Sequence, residues 1–299
     1  MKHIPLLIVG ATFAGLGYSS ESGPEALVVE PFSQPGHEFI SSYRPGEQWP
    51  RTARTEAGGR LLEELERRGV LTADRRLHVP AVLPIICRWI REQRLQLLLM
   101  TQIVRIAPHP DGYEVTLAHA SGMERLVAGR IVDTTSGGLP LTGEKETAIV
   151  HKRINALLHC ANLEADASVP LPESYDERLS VYRGPFASEA IASLELAAHD
   201  DWPTARRKLY TAWLGRPAAW QPWTIAAIAD TFDQRVGKGP AVLRPNWTRL
   251  PSCAYANLLE ALEEGVLTAR KEVTYEAAAM DQQAKRGDRG RPTAIRSNV

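Results

Sequence analysis

Two short stretches of this sequence combine residue types at a spacing that suits chemistry. Gly10-Ala11-Thr12-Phe13-Ala14-Gly15 follows the apolar run Ile4–Val9, and Glu30 closes a second apolar run, Ala26-Leu27-Val28-Val29, twenty residues after Gly10. A turn at Gly10 that opens a helix aims free backbone N–H groups, and the positive end of the helix dipole, at an anion such as a pyrophosphate. Gly15 lets the helix lie close on the strand, and a carboxylate at the tip of the second strand can accept hydrogen bonds from a ribose. Thr12 stands where the nucleotide fingerprint has its middle glycine; it narrows the approach to phosphate and offers a hydroxyl donor in exchange. Gly10, Ala11, Thr12, Phe13, Ala14, Gly15 and Glu30 are therefore the expected dinucleotide-binding set. The competing explanation is a plain strand–helix–strand start with a chance pair of glycines.

The elements around this set decide between the two. Ile4–Val9 is apolar at nearly every position, as a parallel strand covered on both faces should be. After Glu30 comes a long Pro/Gly-containing loop, and loops of that length in a compact domain are usually functional. Leu61, Leu62 and Leu65 mark one helix and the stretch from Val79 to Arg94 a second, leading into a strand at Leu97–Met100. Tyr113, Val115 and Leu117 alternate as a half-buried strand does, Ser121-Gly122 makes a hairpin turn, and an apolar strand ends at Asp133. A helix to a parallel strand, a small antiparallel meander and a return strand make up the first half.

Here the sequence resembles the FAD-dependent oxidoreductases of the glutathione-reductase-like superfamily. GATFAG is similar to the GATPAG variant of their first motif, and VDTTSGG to the strand end that meets the flavin. The resemblance covers residues 3–138. It implies FAD as cofactor, Glu30 on the adenosine ribose, backbone near Val104 at the adenine, and Thr134, Thr135 and Gly137 approaching from the third motif. It also implies an α/β fold, a Rossmann-like FAD-binding domain with a parallel sheet and small meander, plus an inserted α+β substrate domain. The expected boundaries are 1–147 for the first part of the FAD-binding domain, 148–244 for a substrate or partner domain, 245–280 for a returning C-terminal helix, and 281–299 for a mobile tail. The glycine motif that the family carries before that last helix is missing.

In the second half, residues 148–164 and 178–186 read as strands, while 188–201, 203–215 and the stretch after Pro222 read as helices. Five of the seven tryptophans fall between Trp202 and Trp247, and tryptophan is enriched where a surface is buried against another protein. The expectation is a homo-oligomer or a complex with a protein partner. His37, Tyr43 and Arg44 share the long loop after Glu30; Arg44 could grip a substrate carboxylate, or simply be solvated. Trp220 and Trp223 read as core or interface aromatics, and Cys253 as a small buried cysteine.

Composition excludes other classes. The 299 residues carry 35 Lys+Arg and 35 Asp+Glu, so bulk charge points to neither nucleic acid nor an anionic membrane. Three scattered cysteines and no metal-ligand spacing among the histidines suit a reducing compartment and no metal. The N-terminus mimics a secretory signal, but the matching strand that follows at once favours a folded start. The expected place is the cytoplasm. The expected function is an FAD-dependent oxidoreductase that moves a hydride from a C–H beside N or O to the flavin. The alternatives are an FAD-dependent monooxygenase, and a non-catalytic subunit holding a dinucleotide.

Overall fold

The computed structural model describes residues 1–137, 148–160 and 174–272. The chain opens with strand β1 (Lys2–Val9), helix α1 (Phe13–Ser22) and strand β2 (Ala26–Val29), followed by α2 (Glu56–Arg67), α3 (Val82–Glu92) and β3 (Gln96–Leu98). β4 (Gln102–His109), β5 (Gly112–His119) and β6 (Gly122–Asp133) form the meander. β7 (His151–Cys160), β8 (Leu179–Arg183) and β9 (Glu189–Glu195) precede α4 (Trp202–Leu214). β10 (Trp223–Ile228), β11 (Asp233–Arg235), β12 (Ala241–Arg244) and β13 (Trp247–Arg249) then lead to α5, residues 258–272.

β1 is central in the first sheet. β3, β2, β1, β6 and β13 lie side by side and parallel, while β12 is antiparallel to β13, and β5 joins antiparallel to both β4 and β6. Leu6 and Ile8 face a core shared with α1, α2, α3 and α5; Leu7 and Val9 face a second core under the meander with Tyr113, Val115, Leu117 and Trp247. This two-sided burial is why β1 and β2 read as unbroken apolar runs. The first sheet is α/β and Rossmann-like. The second, with order β10-β7-β9-β8 and β11 on β7, is antiparallel throughout.

α1 and α5 meet backbone to backbone. A Cβ on Gly17 would sit 2.0 Å from the Leu262 carbonyl oxygen, and one on Gly265 would sit 2.0 Å from that of Ala14. Only glycine fits at either place.

Several expectations change. Residues 188–201 contain strand β9, not a helix, and β10 and β11 replace the helix expected after Pro222. β12 already belongs to the first sheet, so the return begins a few residues before 245. Trp220, Trp223 and Trp247 are fully buried, and Trp202 and Trp213 pack against the second sheet's core. Their concentration is thus explained by internal packing, and it no longer argues for an interface. The expected mobile tail at 281–299 and the last helical residues to 280 lie outside the described residues.

Candidate functional site

The turn between β1 and α1 has the expected form. Gly10 adopts φ +96°, open to glycine, and its N–H donates to the Val29 carbonyl at 2.8 Å. Gly15 presses on the strand so closely that a Cβ there would stand 2.3 Å from the Gly10 oxygen. Thr12 caps α1: its Oγ1 accepts from the Gly15 N–H (3.1 Å) and donates to Thr134 Oγ1 (2.7 Å), which donates in turn to the Val9 carbonyl (2.8 Å). Thr12 therefore points back into the protein and ties the first motif to the third.

Three further donors of this turn have partners within the chain. Ala11 N–H donates to Glu30 Oε2 at 2.7 Å and Phe13 N–H to Glu38 Oε1 at 2.8 Å. Ala14 N–H donates to Ser252 Oγ at 3.1 Å, and Ser252 Oγ donates to the same Glu38 oxygen at 2.7 Å. Glu38 is 4% exposed, and its Oε2 has no hydrogen-bond partner. Burial pushes its carboxyl above the usual range, against the pull of the Phe13 and Ser252 hydrogen bonds.

Glu30 is fully buried at the tip of β2. Oε1 accepts from the Phe32 N–H at 3.0 Å, and His37 Nδ1 lies 3.6 Å away. Burial raises Glu30 to about 7 and lowers His37 to about 4. The Phe32 ring lies against His37, centroids 4.2 Å apart. The loop is held by Arg44, which donates to the Cys253 carbonyl (3.0 Å) and the Tyr255 carbonyl and faces Asp233 at 3.5 Å. Arg44 is neither a solvated residue nor a substrate grip; it is 1% exposed. Cys253 is buried and unpaired, as expected.

A pocket of about 360 Å³ opens where the C-terminal ends of β1 and β2 meet the second sheet, the place ligands occupy in open α/β sheets. Phe32, His37, Glu38, Ile103, Thr135 and Phe232 are among its walls. Thr135 and Gly137 line it, and Thr134 is buried. Val104 is on β4 with an exposed side chain, beside the pocket-lining Ile103. Sequence reasoning missed Glu38 and Ser252. An acid eight residues past Glu30, in a loop too long for a connection, was the one available signal.

No family model matches the chain, and no curated protein does. Among solved structures, a geranylgeranyl bacteriochlorophyll reductase-like protein from Thermoplasma acidophilum is similar, with TM-score 0.60, 10% identity, 94% of this chain and 80% of that one. So is p-nitrophenol 4-monooxygenase from Pseudomonas putida, at 0.54 and 14% over 90% and 78%. Aklavinone-11 hydroxylase, solved with FAD and aklavinone, gives 0.56 and 13% over 91% of this chain. The chain shares their fold. It spans about three-fifths (62%) of the hydroxylase's own length. The resemblance drawn from the motifs is matched here at the level of the fold; these neighbours are not specifically glutathione-reductase-like. Among the described residues, no helix is long and apolar enough to cross a membrane.

Proposed function

We propose that the chain is an FAD-dependent oxidoreductase acting on a small molecule. The observation that carries this reading is the pocket at the ends of β1 and β2, lined by Val9, Val29, Glu38 and the third-motif residues Thr135 and Gly137, next along the chain to the Gly10–Gly15 turn and to Glu30. The residues suit an adenosine: a carboxylate has about four acceptor sites, so Glu30 can hold the Ala11 and Phe32 N–H groups and still accept from a ribose. Thr135 and Gly137 lie where the rest of the cofactor would extend, and Thr231 and Phe232 would cover the substrate side. When bound, the flavin supplies the redox chemistry; the protein binds, orients and excludes water.

Two forms of the reaction are open to such a site: removal of a hydride from a C–H beside N or O, and hydroxylation. Likeness to a monooxygenase and a hydroxylase supports the second as the alternative. The test is reconstitution with FAD, an absorption spectrum, and mass spectrometry of the ligand released on denaturation. Bound FAD is expected; no nucleotide after reconstitution would overturn the reading. Substrate-stimulated NAD(P)H consumption would then assign the monooxygenase form, and bleaching of the flavin by substrate alone the hydride form. A flavin that no donor bleaches would leave the third role, a non-catalytic subunit.

A further inference from the structure

We propose that Glu38 is a resident anion in the diphosphate seat and sets how tightly this chain takes a dinucleotide. This rests on the flavin reading above. A helix N-terminus of this kind attracts a phosphate because its first N–H groups lack partners. In this chain they have partners. Phe13 N–H and the Ser252 hydroxyl both donate to Glu38 Oε1, and Ser252 Oγ accepts the Ala14 N–H. One carboxylate and one hydroxyl thus occupy the Phe13 and Ala14 donors at the start of the helix.

The second observation is the other oxygen. Glu38 Oε2 is buried without a hydrogen-bond partner, in a side chain that lines the same pocket. A diphosphate entering there meets a carboxyl that, when ionised, repels it at short range in surroundings that screen poorly. Arg44, the cation that acts on Glu38, is spread over two carbonyls and Asp233. Nor does the carboxylate hang on a loose loop: Gly36 N–H donates to the Ala11 carbonyl at 2.8 Å, and the Ser42 hydroxyl donates to the Glu38 carbonyl at 2.7 Å. A dinucleotide must displace Glu38 or share the helix end with it.

The test is FAD titration of the full chain, followed by flavin fluorescence, in wild type, Glu38→Gln and Ser252→Ala. Glutamine keeps an acceptor for Phe13 N–H and removes the charge. Kd should fall by about tenfold or more in Glu38→Gln, a gain of about 1.4 kcal/mol, and by less in Ser252→Ala. Circular dichroism verifies folding; should Glu38→Gln not fold, Ser252→Ala decides alone. Unchanged or weaker binding in the folded variants would overturn the proposal while leaving the flavin reading intact. No FAD binding by any of the three at millimolar FAD would overturn both.

Discussion

Glu30, His37 and Glu38 are three largely buried titratable groups close together, and the effect of His37 on stability opposes that of the two acids. Folding raises Glu30 from 4.5 to about 7, so across that window the native chain holds a proton that the unfolded chain has released. Stability from this group is therefore lost as pH rises from 4.5 to 7, by up to about 3 kcal/mol. His37 has the opposite sense: lowered from 6.5 to about 4, it costs stability as pH falls through that range. Glu38, raised by burial, acts with Glu30. Glu30→Gln removes one slope only. Relative to wild type, the variant should gain up to about 3 kcal/mol between pH 4.5 and 7, read from urea midpoints at the two pH values. A constant difference would mean that Glu30 stays ionised throughout. Arg44 makes a second case: Arg44→Met leaves two carbonyls and the Asp233 carboxylate buried without their cation. Losing one partner of a buried pair costs about 3–5 kcal/mol, so a large drop in Tm is expected, and a small one would show that water replaces the guanidinium.

At the scale of elements, the sequence was legible wherever burial on one face imposed a period. α2 shows its Leu61, Leu62 and Leu65 stripe, and β5 its Tyr113, Val115 and Leu117 alternation; all six side chains are buried. β9 hid its identity because its first six residues are all buried, which erases the alternation and leaves a short apolar run that suits helix or strand equally. The motif positions at the site were legible for the same reason that they are local. Glu38 and Ser252 were not, since their partners stand 25 and 238 residues away along the chain. The glycines offer a paired test. Gly59 lies inside α2 with open space around it, so Gly59→Ala should stabilise by roughly 0.5–1 kcal/mol. Gly265→Ala should destabilise by about 1–3 kcal/mol or more, because its methyl would overlap the Ala14 carbonyl. Differential scanning calorimetry should show Tm moving in opposite directions; equal shifts would refute the close approach.

Across the whole molecule, the first sheet is completed from both ends of the described chain: β1 near the start, and β12 and β13 some 240 residues later. The second sheet and its tryptophan-rich core interrupt that path with a cluster of their own. Expressing residues 1–250 alone, which keeps both sheets but omits α5, should therefore give insoluble protein; a soluble, cooperatively melting product would show that the apolar surface α5 covers can be tolerated in water.

The bare-backbone crossing at Gly17 and Gly265 has a consequence for the making of the protein. Nothing else can stand in for α5, because no side chain could reach so close to α1. The two glycines are some 250 residues apart, and a ribosome adding about 5–20 residues each second needs about 12–50 s to cover that distance. For that interval the nascent first half carries an uncovered apolar face, and the cell that makes this chain must shield it until α5 emerges.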